Sequence, residues 1–139
     1  MKIKKFNRLP DEAIEIRKAV FIDEQGFENE FDEIDNIATH LVAFEDNLPV
    51  ATCRVYKNEK DNNFVVGRIA VIPDFRGNKI GGKILAQAEK EVIKSGGDSL
   101  YLFAQCRAAV FYEKQGYEKT DQTGFDEGCP HVWMYKKLK

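Results

Sequence analysis

Val71-Ile72-Pro73-Asp74-Phe75-Arg76-Gly77-Asn78-Lys79-Ile80-Gly81-Gly82-Lys83 is the stretch whose reading decides the fold. The apolar run Phe64 to Val71 leads into it as a strand, and Gly67 within that run marks a bulge or a close backbone approach. Ile80, Ile84, Leu85, Ala88 and Val92 follow at the spacing of a helix with one buried stripe, which Ser95-Gly96-Gly97 closes. At the junction Arg76, Lys79 and Lys83 crowd the start of the helix, and no acid appears from Arg76 until Glu89. A helix N-terminus carries unpaired N–H groups and the positive end of the macrodipole, so cations there oppose it. Either the turn is a flexible one with solvated lysines, or a bound anion reverses the balance, with glycines letting its oxygens approach the backbone.

Working outward, Leu100-Tyr101-Leu102-Phe103-Ala104 reads as a buried strand after that helix, which makes a parallel βαβ unit. Ala108 to Gln115 is a second short helix stopped by Gly116. The remainder reads as a strand from Tyr117, a polar excursion from Asp121 to Pro130, and a last strand around Val132-Trp133-Met134-Tyr135. Upstream, residues 2–7 form a first strand, and a helix opens at Pro10-Asp11-Glu12 and runs to about Ile22 on Ala13, Ile16, Val20 and Phe21. Leu41 to Phe44 and Val50 to Tyr56 are strands joined by a turn at Asp46-Asn47, and Lys57 to Asn63 is a surface hairpin loop. The sum is a single α/β domain with a mixed sheet, antiparallel early and parallel at one junction. Between them Asp23, Glu24, Glu28, Glu30, Asp32, Glu33 and Asp35 form an acidic stretch around Gln25-Gly26-Phe27. It is either a solvated connection or one wall of a site for a cationic substrate.

Composition narrows the function. A chain of 139 residues, 43% apolar and 32% charged, has the length and make-up of a soluble globular domain. A net charge of −2 argues against general nucleic-acid binding. No apolar run approaches the roughly 20 residues of a membrane span, and no signal peptide is visible, so a cytoplasmic protein with no membrane partner is expected. Cys53, Cys106 and Cys129 form no CxxC pair, and with His40 and His131 they do not suggest a metal site. Cys53 and Cys106 read most simply as buried small apolar residues. The strand edges and Trp133 leave a homodimer open.

Two segments resemble the motifs of one family, the GCN5-related N-acetyltransferases (GNAT). Arg76-Gly77-Asn78-Lys79-Ile80-Gly81 resembles its acetyl-CoA-binding motif, Arg/Gln-x-x-Gly-x-Gly/Ala between strand and helix, and Ala108 to Tyr117 resembles its later motif. Val20 to Gly26, the acidic stretch, Ala104-Gln105 and Gly128-Cys129-Pro130-His131-Val132-Trp133-Met134 are similar to the YjcF/ElaA-like branch. In two respects the chain departs: Lys79 stands where the motif has a glycine, and Gln105 stands where many family members carry asparagine.

The resemblance implies a GNAT fold in which acetyl-CoA, a co-substrate, lies between two splayed parallel strands and passes its acetyl group directly to an amine of a small molecule or peptide. Ile69, Ala70 and Val71 would meet the pantetheine amides. Arg76, Gly77, Asn78, Lys79, Ile80, Gly81, Gly82 and Lys83 would cradle the pyrophosphate, and Gln105 would face the cofactor from the next strand. Tyr112 would be the general acid that serves the departing sulfur. Glu24, Gln25, Asp35 and His131 would line the acceptor side, with Glu24, Asp35 and His131 the candidates for a general base. A non-catalytic acyl-CoA-binding module is the alternative; a P-loop is disfavoured because no GK[ST] closes the turn.

Overall fold

Ile80, Ile84, Leu85, Ala88 and Val92 are all buried along one side of a helix, α2 (Ile80–Lys94). Burial of each of the four larger side chains, Ile80, Ile84, Leu85 and Val92, contributes about 1.5–3 kcal/mol, which makes this stripe the main anchor between helix and sheet. The computed structural model describes residues 1–139. Chain order is β1 (Lys2–Phe6), α1 (Asp11–Arg17), β2 (Thr39–Glu45), β3 (Leu48–Asn58), β4 (Asn63–Val71), α2, β5 (Ser99–Gln105), α3 (Ala109–Lys114), β6 (Glu118–Asp126) and β7 (Cys129–Lys137). A π-helical segment, Lys18–Glu24, extends α1, so the first helical stretch ends two residues beyond Ile22.

The seven strands form one sheet in the order β1-β2-β3-β4-β5-β7-β6. Every neighbouring pair is antiparallel except β4 and β5, as the strand–helix–strand reading requires. Alternation along β2 shows how the layers lie. Leu41 and Ala43 join the core beneath α2, whereas Val42 joins Ala13, Ile16 and Val20 beneath α1. Successive strand residues point to opposite faces, so α1 and α2 sandwich the sheet. Val132 and Met134 of β7 belong to the α2 side, and by the same rule His131 and Trp133 point to the α1 side.

Two expectations change. The polar run from Asp121 is not an excursion: β6 continues to Asp126 and a tight turn at Glu127 (φ 49°) and Gly128 (φ 81°) leads into β7. β6 is an edge strand with largely exposed residues, so it needs no apolar alternation to pair. Cys106 is exposed, while Cys53 is buried as expected. Gly67 does mark a bulge: Thr52 pairs with Ala70 but Arg54 with Gly67, which inserts one extra residue in β4 beside Arg68 (φ 51°).

Candidate active site

β4 and β5 pair at only two positions, Phe64 with Leu100 and Val65 with Tyr101, and then separate. From Val66 to Val71 the β5-facing edge of β4 therefore has no strand partner. Ile69, Ala70 and Val71 lie on that open edge, and the bulge at Arg68 sits at its root. A cavity of about 160 Å³ occupies the gap. Tyr112, Gln25, Gln105, Glu30 and His131 all line it. No helix of the chain is long and apolar enough to cross a membrane.

At the end of β4 the chain turns through Pro73–Phe75 into the glycine-bearing loop and α2. A helix that begins at Ile80 leaves the N–H groups of Ile80, Gly81 and Gly82 without intrahelical acceptors; Lys83 is the first to donate back, to the Lys79 carbonyl (3.2 Å). Lys79 is the residue before the helix and adopts the left-handed conformation, φ 62° and ψ 19°. That conformation costs an L-residue with a side chain about 1–2 kcal/mol and glycine nothing, which explains why a glycine suits the position. Lys79 and Lys83 are exposed and unpaired, so both ammonium groups are free to meet an anion.

Gly81 and Gly82 have a packing duty besides the one expected. A Cβ on Gly81 would stand 3.3 Å from the Phe111 ring, and one on Gly82 would stand 3.1 Å from the Gln115 amide. Their missing side chains let α2 approach α3 closely, so the two motifs are a single packed unit. Arg76 has partners within the protein. Its guanidinium donates to both carboxylate oxygens of Glu24 (2.7 Å each) and to the Val71 carbonyl (2.9 Å). It braces the loop from the α1 side. The hydrogen bond from Arg76 holds the Glu24 carboxyl below its usual range.

The acidic stretch meets neither reading in full. It does wall the cavity, through Gln25, Phe27 and Glu30, yet Glu24, Glu30, Asp32 and Asp35 are engaged by the protein's own arginines. Arg17, 1% exposed, donates to Glu30 Oε2 (2.8 Å) and to both oxygens of Asp35 (2.7 and 3.1 Å). Arg54 bonds Asp32 and Asp35, and Arg68 bonds the Glu30 carbonyl. Asp35, expected on the acceptor side, is buried inside this network. Burial alone would raise its pKa, but the hydrogen bonds and charges of Arg17, with help from the Asp32 N–H and Arg54, bring it down to about 2. In Glu30 burial prevails and its pKa is raised. Nothing in the sequence marked Arg17 or Arg68, and Glu30 stood out only as one acid of the stretch; their partners lie 13 to 38 residues away.

Tyr112 of α3 reaches the cavity from the α2 side, packed edge-on against Phe111 and Tyr117. Burial, with nearby Cys53, pushes its pKa above the ordinary phenol value, so the hydroxyl keeps its proton at neutral pH. Gln105, expected to face the cofactor, donates to Gln25 Oε1 (2.9 Å) and accepts from Arg107 (2.7 Å). It thus ties the end of β5 to the wall. His131 stands opposite Gln105 in the β5–β7 ladder.

The sheet is opened at its one parallel pair, with a helix start whose N–H groups are unpaired at the mouth of the gap. Residues 7–138 match the Acetyltransferase (GNAT) domain profile, and the chain belongs to that family. It is 38% identical over 146 residues to a suspected acetyltransferase of Bacillus subtilis (strain 168), covering 99% of this chain and 97% of that protein. To the uncharacterized N-acetyltransferase YjcF of the same organism it is 34% identical, covering 90% of each. The crystal structure of Escherichia coli ElaA superposes with a TM-score of 0.85 at 24% identity, covering 98% of this chain and 99% of that one. The fold is the GNAT fold, and the chain is of the YjcF/ElaA type.

Proposed function

We propose that this protein is an N-acetyltransferase that uses acetyl-CoA as co-substrate and an amine as acceptor. The observation that carries the reading is the two-pair contact of β4 with β5, which leaves a backbone edge beside the free N–H groups of α2. An added strand pairs with such an edge through main-chain hydrogen bonds, and the amides of pantetheine can do the same at Ile69, Ala70 and Val71. The pyrophosphate fits the start of α2, where unpaired N–H groups, the dipole and two free ammonium groups all favour an anion. When bound, acetyl-CoA supplies an activated acetyl thioester. A backbone N–H of β4 near Val71 is suited to polarise the thioester carbonyl. Tyr112 offers a hydroxyl that holds its proton for the departing sulfur. Gln25 and Gln105, bonded to each other, present amide groups to the acceptor side.

The test is calorimetric binding of CoA together with acetyl transfer across a panel of primary amines and N-terminal peptides. Binding with transfer to at least one class is expected. Binding of CoA without transfer to any amine would make the chain a CoA-binding module, and failure to bind CoA would sink the reading altogether.

A further inference from the structure

The chain has two histidines, and the structure gives them opposite situations. His40 is 1% exposed; its Nε2 donates to the Asp35 carbonyl (3.0 Å), while its Nδ1 is shut in without a partner. Burial lowers its pKa, and it belongs to the ionic wall. His131 lines the reaction cavity. Its Nδ1 lies 2.8 Å from the Cys129 carbonyl. A carbonyl can only accept, so Nδ1 carries the hydrogen and the neutral ring has its lone pair on Nε2. Nε2 has no protein partner, and it is not among the enclosed, unpartnered atoms, which are Glu30 Oε1, His40 Nδ1 and Arg54 Nε. Phe103 stacks on the ring at 4.8 Å and 29° and fixes its plane.

Position adds to this. His131 points to the α1 side of the sheet, while Tyr112 enters from α3 on the α2 side, and both reach the cavity where the sheet opens. Three of the carboxylates that could compete are engaged: Glu24 by Arg76, Asp35 by Arg17 and Arg54, and Glu30, through Oε2, by Arg17 and Arg68; Asp126, which also lines the cavity, has no arginine partner and is the rival the test must separate. The charged and titratable groups that share the cavity with the ring are Glu30, Arg68, Asp126 and Tyr112.

We propose that His131 Nε2 is the general base that takes the proton from the acceptor ammonium. The inference rests on the acetyltransferase reading. The acceptor gives one ammonium proton to Nε2; its nitrogen forms the C–N bond as the C–S bond breaks. The sulfur leaves as a thiol with a proton from the Tyr112 hydroxyl, which regains one from the new amide nitrogen. The proton on Nε2 passes to solvent, so the net release is a single proton.

Two measurements test it. In the free wild-type protein, ¹⁵N-edited NMR of the imidazole should show the Nδ1–H tautomer with an unprotonated Nε2; the reverse tautomer overturns the proposal, whatever the activity. With an amine that the wild type acetylates, His131→Asn and His131→Gln should lower kcat/KM at pH 7 by about 10²-fold. Their deficit should shrink as pH approaches the pKa of the amine, and CoA affinity should stay within about twofold. Variants that keep the acidic limb of the wild-type pH profile overturn the proposal and point to Asp126. A wild type that acetylates no amine overturns the acetyltransferase reading itself, and this inference with it.

Discussion

Arg76 and Glu24 are joined by two parallel hydrogen bonds of 2.7 Å each, which link the loop before α2 to the end of the π-helical segment that extends α1. Each side chain is 41% exposed, so the pair adds at most about 1 kcal/mol to stability. Its greater consequence is electrostatic. It places a carboxylate beside a helix start whose other cations, Lys79 and Lys83, are unpaired, and it occupies the one guanidinium there.

Glu24→Gln should therefore tighten CoA binding, by about threefold to tenfold at low ionic strength, with the gain fading as salt screens it. The thermal midpoint should move little. Calorimetric titration at two salt concentrations checks both points; weaker binding in the variant would show that Arg76 needs Glu24 to hold the loop in shape.

Lys79 makes a second, separable prediction. Its left-handed backbone carries a strain of about 1 kcal/mol that glycine would relieve, so Lys79→Gly should raise the thermal midpoint by a few degrees. If the exposed ammonium meets phosphate, the same change should weaken CoA binding and flatten its dependence on salt. A stabilised variant with unaltered CoA affinity and salt dependence would assign the lysine to mere tolerance of the turn.

What could be read from the chain beforehand follows a physical line. The stripe of α2 was legible because five buried positions repeat at the helical period, and the bulge was legible because Gly67 interrupts a strand. The glycines of the α2 turn were legible as necessary but not for their reason: only the fold shows Phe111 lying against Gly81. Asp35 was the clearest misreading. Its partners Arg17 and Arg54 are 18 and 19 residues away, and a pairing between distant charges leaves no periodic signal, so the acids read as solvated or substrate-facing. Asp121 to Asp126 misled for the converse reason, since an edge strand pairs through its backbone whatever its side chains.

The ionic wall predicts an acid response. Asp35 has a folded pKa of about 2 against an ordinary 3.8, so its contribution is full above about pH 4 and is lost as pH falls towards 2. Glu30 opposes this, because its raised pKa means that protonation on the way down favours the folded state. Net stability should still fall below pH 4, where Asp32, also lowered, acts with Asp35. Asp35→Asn, which leaves Arg17 and Arg54 short of a counter-charge, should cost about 3–5 kcal/mol near neutral pH and remove part of the acid-dependent loss. Denaturant titrations from pH 2 to 7 measure it, and an unchanged midpoint in the variant would refute the structural role.

Tyr112→Phe tests the leaving-group side alone. The ring's packing against Phe111 and Tyr117 is kept, so the fold and CoA affinity should hold. Loss of the hydroxyl should lower kcat by about 10²-fold, the usual contribution of a placed acid. The deficit should narrow with an acetyl thioester whose thiol is more acidic, because such a sulfur departs without help. A uniform deficit across thioesters would mean that the hydroxyl positions the donor rather than serving the sulfur, and a variant as fast as the wild type would remove Tyr112 from the chemistry.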